Sequence, residues 1–237
     1  MSYLARKINS KTMLNPVASK NRDRRIPIFV HDNFLRHLLF PPKNLLSKYI
    51  SAGQTVADLG SGPGYFTIPM AQIVGRVGKV YAADFDMKSI QALQKKVEKN
   101  GYSHIIEARA TSASDLSFIP DSSVDLVFAN GLLCCMADHD GAISEIQRIL
   151  KKKIPGKAYL SVTKRFLKRT DPRTVVKEEW DRLLGSRFDI LSGGESFISR
   201  WALVTLSTRN GPNNQTITEK ELPLFVKEII RCFRVFL

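Results

Sequence analysis

The stretch that most restricts the fold is "VADLGSGPGYF", residues 56–66, an apolar run that reaches Asp58 and then breaks into Gly60, Gly62 and Gly64. A short apolar run bounded by turn residues is the pattern of a strand buried on both faces. Glycine at every second position straight after it lets the backbone turn sharply and lets a ligand approach without meeting a side chain. In α/β proteins such a loop at the carboxyl end of a strand is where nucleotide-like ligands sit. A dinucleotide loop of the form G-x-G-x-x-G would place its third glycine at position 65, but that residue is Tyr65 and the third glycine is Gly64.

The rest of the chain supplies the matching alternation. Apolar runs predict strands over 55–60, 79–85, 104–110, 124–130 and 157–162, and helical spacing between them predicts helices near 63–74, 87–100 and 139–151. A helix near 172–184 then leads to two further runs, 187–193 and 199–207, joined by a Gly-bearing turn, which reads as an antiparallel pair. The expected fold class is α/β, a doubly wound Rossmann-like, mostly parallel sheet with a C-terminal antiparallel hairpin at one edge. Ahead of it, "HDNFLRHLLFPPKNLLSKYI" carries Phe34, Leu38, Leu45 and Leu46 around a break at Pro41 and Pro42, the pattern of two short helices. The organisation read from the sequence is a basic arm and helical cap over 1–50, a main domain over 51–207 and a tail over 208–237. In the tail Phe225, Ile229, Cys232 and Phe236 recur at helical spacing with Lys227, Arg231 and Arg234 among them, a stripe suited to docking on the domain or on a partner, with a membrane-surface helix as the alternative.

Composition narrows the setting. With 237 residues, 43% hydrophobic and 24% charged, the chain has the makings of one soluble domain. No segment approaches the roughly 20 consecutive apolar residues of a bilayer span, so an integral membrane protein is not expected. The first 25 residues lack the apolar core of a secretory signal. The three cysteines, with Cys134 and Cys135 adjacent, do not form a disulfide framework, and a reducing, cytoplasmic location is the expectation. A net charge of +14 attracts nucleic acid, anionic surfaces or acidic substrates without choosing among them.

The spacing G-x-G-x-G preceded by Asp58 resembles the first motif of class I S-adenosylmethionine-dependent methyltransferases of the small-molecule type. The second predicted strand ends in Asp84, twenty residues after Gly64, where an acid can accept hydrogen bonds from both hydroxyls of an adenosyl ribose. Residues 112–162 are similar to the region of that family running from the adenine-contacting loop to the fifth strand. The resemblance implies S-adenosylmethionine as cofactor, held by Asp58, Gly60, Ser61, Gly62, Gly64 and Tyr65 of the loop and by Asp84. It implies further that Phe85 covers one face of the adenine, that Ala113 and Ser114 lie beside it, and that Asn130 and Gly131 border the methionine part. Two departures stand out. Thr111 and Ser112 replace the Gly-Asp pair of many relatives, and Cys134 and Cys135 stand where relatives often have histidine.

Methyl transfer from a sulfonium is an in-line displacement, for which alignment of the reactants and exclusion of water matter more than a fixed triad. The resemblance puts His31, Asp32, Asp138 and His139 near the mouth, but caps, surface and loops are the commoner homes of such residues, so none is assigned as catalytic. The segment "ANGLL" after the fourth strand lacks the Asn/Asp-Pro-Pro-aromatic pattern of base-amine methylation, and neither Cys134 nor Cys135 has the neighbouring proline common beside a cytosine-attacking cysteine. The acceptor expected is therefore a small molecule. RNA (tRNA or rRNA) is the alternative, tracked by Lys164, Arg165, Lys168, Arg169 and Arg173 with the N-terminal arm. A non-catalytic subunit that keeps the cofactor fold is the third reading.

Overall fold

The structure, a computed structural model, describes Asp23 and residues 41–164, 173–197 and 199–207. A short helix α1 (Pro42–Leu46) precedes β1 (Thr55–Leu59), α2 (Thr67–Val74), β2 (Lys79–Asp84), α3 (Met87–Lys99), β3 (Ile106–Ala110) and β4 (Leu126–Asn130). After a 3₁₀ turn at Leu133–Cys135 follow α4 (His139–Ile149), β5 (Lys157–Thr163), α5 (Lys177–Gly185), β6 (Phe188–Glu195) and β7 (Ser199–Leu206). The seven strands form one sheet in the order β3-β2-β1-β4-β5-β7-β6. The first five of these are mutually parallel, and β7 runs antiparallel to both β5 and β6, placing the expected hairpin at the sheet edge.

Each central strand is apolar because each of its faces is covered. On one face Val56, Val80, Leu126 and Phe128 pack with Leu46 of α1, Met70 and Val74 of α2, and Ile90 and Leu93 of α3. On the other, Ala57, Val127, Leu160 and Val204 pack with Ile143 and Ile146 of α4 and Trp180 and Leu184 of α5. The split follows from handedness. Right-handed crossovers from β1 to β3 lay their helices on one face, and the reversal of direction at β4 lays α4 on the other. Phe128 stacks on Tyr159 at 4.9 Å and Tyr159 on Trp201 at 6.0 Å, so an aromatic row ties β4, β5 and β7 together across the first face.

Three of the boundaries that differ from the sequence expectation have a local reason. Helix α2 begins at Thr67 rather than near 63, because the positive φ of Gly62 and Gly64 (52° and 93°) takes the chain out of helical geometry there. Strand β3 begins at Ile106 because Tyr102 O accepts from both Ile105 N and Ile106 N, holding 102–105 in a turn. Helix α5 begins at Lys177, beyond an extended Val176. Of the two helices expected around Pro41 and Pro42, the second is α1. The first, the remainder of the N-terminal arm, and the tail with Cys232 lie outside the described residues. No described helix is long and apolar enough to cross a membrane.

Candidate functional site

The strand order reverses between β1 and β4, and the loops leaving their carboxyl ends diverge there, which opens a crevice in a doubly wound sheet. The glycine loop forms its floor. Gly60 N and Ser61 N both donate to Ala83 O of β2, at 2.8 and 3.0 Å, so the loop is pinned to the neighbouring strand as soon as it leaves β1. Gly62 N donates to Asp84 Oδ2 at 2.8 Å, and Asp86 N donates to Asp84 Oδ1 at 2.8 Å. Asp84 is therefore the joint between the two loops. Burial raises its pKa, and the two amide donors work against that rise.

The crevice is a cleft open to solvent. Seven of the residues expected at the cofactor line it: Gly60, Gly62, Asp84, Phe85, Ala113, Asn130 and Gly131. The other five lie around it and perform different tasks. Asp58 is only 2% exposed and accepts a 2.6 Å hydrogen bond from Thr67 Oγ1, which straps the end of β1 to the start of α2 beneath the loop. Burial pushes its pKa up to about 7, with the Thr67 hydroxyl pulling down and the nearby Asp84 pushing up. Gly64 makes room for α3, since a Cβ there would stand 2.6 Å from Leu93 Cδ1. Tyr65 is buried against the edge of Phe66, with ring centroids 4.8 Å apart. Ser61 buries its hydroxyl without a partner among the described residues. Ser114 Oγ lies 3.0 Å from Ser112 Oγ.

Residues missed by sequence reasoning complete the lining: Asp23, Ala83, Asp86, Ser89, Thr111, Leu132, Cys135 and Met136. Asp86, the N-cap of α3, and Ser89 in its first turn follow closely on Asp84 and were within reach of the motif. Asp23 had no sequence signal. Its carboxylate accepts from Ala137 N at 3.2 Å, a contact across 114 residues of chain. Burial raises the Asp23 pKa, with Asp138 adding to the rise and Arg173 and His139 opposing it.

Beyond β4, Ser161 Oγ accepts from Gly131 N at 3.0 Å and donates to Asn130 Oδ1 at 2.7 Å, fixing the turn into the 3₁₀ segment. Cys135 faces the cleft and Cys134 lies behind it, buried. Cys134 donates its S–H to Gly131 O at 3.2 Å, while hydrogen bonds from Cys135 and Thr163 pull its pKa down against the effect of burial. Asp138 is the N-cap of α4, accepting from Gly141 N at 2.9 Å. His139 is buried, with Nε2 3.0 Å from Leu133 O and Nδ1 3.4 Å from Glu179. Both are structural, neither lines the cleft, and His31 and Asp32 lie outside the described residues. Of the basic residues expected to attract an anionic substrate, Lys164 is paired with Glu195 and donates to Ser196 O, while Arg165, Lys168 and Arg169 lie outside the described residues. No group of three or more His, Cys, Asp or Glu among the described residues could hold a metal ion.

The lining fits an adenosyl ligand. The carboxylate of Asp84 keeps acceptor capacity beyond its two amide bonds, enough for a pair of ribose hydroxyls, and the side-chain-free Gly60 and Gly62 leave backbone open beside it. Residues 57–153 match the family described as methyltransferase domain. The chain is 33% identical over 132 residues to the ubiquinone/menaquinone biosynthesis C-methyltransferase UbiE of Hahella chejuensis, covering 56% of this chain and 50% of that protein. It is 31% identical over 102 residues to UbiE of Escherichia coli K12, covering 43% and 40%. The match thus spans half or less of the length of these curated relatives. Among solved structures, a SAM-dependent methyltransferase from Aquifex aeolicus superposes with a TM-score of 0.63 at 21% identity, covering 76% of this chain and 97% of that one. A protein from Pyrococcus horikoshii superposes with a TM-score of 0.61 at 16% identity, covering 75% and 93%. Loop spacing and sheet order agree with the match of residues 57–153 to the methyltransferase domain family, and the fold is the one shared with the SAM-dependent methyltransferase of Aquifex aeolicus.

Proposed function

We propose that the protein transfers the methyl group of S-adenosylmethionine to a small-molecule acceptor. The observation that carries this reading is the cleft at the β1/β4 reversal, where the amide of Gly62 and the carboxylate of Asp84 are already joined in the arrangement that would receive a ribose. In it, Asp84 would hold the ribose hydroxyls, Phe85 and Ala113 would flank the adenine, and Asn130 and Gly131 would border the methionine end. The cofactor supplies an electrophilic methyl group on a sulfonium. The protein's share is to orient the acceptor in line with that group and to keep water out, for which Leu132, Met136 and Cys135 form the apolar wall.

Two features favour a small acceptor. The curated relatives are named as C-methyltransferases of quinone biosynthesis, which makes a carbon acceptor on a small aromatic the first class to test. Among the described residues, the charged side chains that line the cleft are Asp23, Asp84 and Asp86, which would repel a phosphate backbone. Incubation of the purified protein with S-adenosylmethionine carrying a labelled methyl group and separate pools of phenolic metabolites and of RNA tests the reading. Label in a small aromatic supports it. Label in RNA, lost steeply with added salt, would replace it with the nucleic-acid alternative. Cofactor binding with no label in any pool would favour the non-catalytic one.

A further inference from the structure

We infer that Asp23, brought to the cleft from the N-terminal segment, makes the site prefer the positively charged methyl donor over its neutral thioether product. The inference rests on the cleft being the donor site. S-adenosylmethionine carries one positive charge more than S-adenosylhomocysteine, and the two are otherwise alike but for the methyl group. A binding site tells them apart through the groups that act on that charge. Among the described residues that line this cleft three are carboxylates and none is Lys, Arg or His. Asp84 ends β2 and Asp86 caps α3, and each is held by local donors: Asp84 accepts from Gly62 N and Asp86 N, and Asp86 accepts from Ser89 Oγ at 3.1 Å. Asp23 comes from the opposite wall, beside Met136 and Ala137, close enough to Asp84 for the two carboxylates to repel one another.

That placement costs something in the empty site. Two partly buried acids that face a common space disfavour each other's ionised form, and a cation between them removes the conflict. Arg173 and His139 temper Asp23 from outside the lining, and Asp138 adds to the negative field. The sulfonium charge disappears on transfer, so Asp23 would hold the substrate form of the cofactor and ease release of the spent form. This is a specificity role. Asp23 takes no proton in it and need not touch the acceptor.

Calorimetric titration of both ligands into the full chain, wild type and Asp23→Asn, tests the inference without any knowledge of the acceptor. Asparagine keeps an oxygen to accept from Ala137 N and removes only the charge. The expected result is a loss of roughly tenfold in affinity for S-adenosylmethionine with S-adenosylhomocysteine changed by less than about twofold. Asp23→Glu, which keeps the charge, should preserve the wild-type ratio of the two affinities. An equal loss for both ligands in Asp23→Asn, or no loss for either, would overturn the inference while leaving the donor site standing. Failure of the wild-type protein to bind either ligand would overturn the donor-site reading and this inference with it.

Discussion

Replacing Asp58 by asparagine should stabilise the protein in mild alkali and do so less in mild acid. Asp58 is 2% exposed, and its pKa rises from an ordinary 3.8 to about 7. An acid whose folded pKa lies above its unfolded value costs stability as pH rises through the interval between them, because the unfolded chain ionises first. The cost grows from about pH 4, is complete near pH 7 and stays constant above. About two pH units of that interval lie above pH 5, and each is worth about 1.4 kcal/mol, so the cost at pH 8 exceeds that at pH 5 by about 3 kcal/mol. Asparagine retains an oxygen for the Thr67 hydroxyl and cannot ionise. The stability of Asp58→Asn relative to wild type should therefore improve by about 3 kcal/mol between pH 5 and pH 8, several degrees in melting temperature for a domain of this size. Thermal melts of both proteins at the two pH values provide the assay. Taking the difference between variant and wild type cancels carboxylates that behave in the opposite sense, such as Glu195, which Arg200 and Lys164 hold down to about 2. A variant-minus-wild-type difference that is the same at both pH values would refute the reasoning.

Three other outcomes follow from the same geometry. Asp84→Ala should weaken cofactor binding by about 10- to 100-fold in calorimetry, since it removes the acceptor for Gly62 N together with the proposed ribose contact. Gly64→Ala should destabilise by about 2–4 kcal/mol in chemical denaturation, because a φ of 93° and a Cβ 2.6 Å from Leu93 Cδ1 both oppose a side chain there. Labelling by a small maleimide should occur at Cys135 within the cleft and should slow when S-adenosylhomocysteine is present, as read by mass spectrometry of the modified peptide.

The sheet was legible because a strand buried on both faces has almost no choice of residue: Val56, Ala57, Val127 and Phe128 could be read as strand interior from the apolar runs alone. Sheet order was legible only as a class. The pairing of β1 with β4 joins Val56 to Leu126 across seventy residues, and no local pattern records it. The site divides in the same way. Residues on the two loops that leave β1 and β2 follow one another in the chain, so the motif located Gly60, Gly62, Asp84 and Phe85 at the cleft. The same motif also selected Asp58, Gly64 and Tyr65, which build the loop from beneath. A sequence pattern marks both the residues that meet a ligand and those that shape the backbone, and only burial separates them. Asp23 shows the converse, since a lone acid in a basic segment becomes part of the cleft through its contact with Ala137. Asp138 and His139, placed near the mouth by the resemblance, are a helix cap and a buried link to Leu133 O, tasks that acid and imidazole side chains share with catalysis.

The central claim is that the β1/β4 cleft is the cofactor site, and titration of S-adenosylhomocysteine into the wild-type protein tests it most directly. The account predicts saturable binding at one site in the micromolar range, weakened at least tenfold by Asp84→Ala. Absence of binding, or binding that Asp84→Ala leaves unchanged, would contradict it.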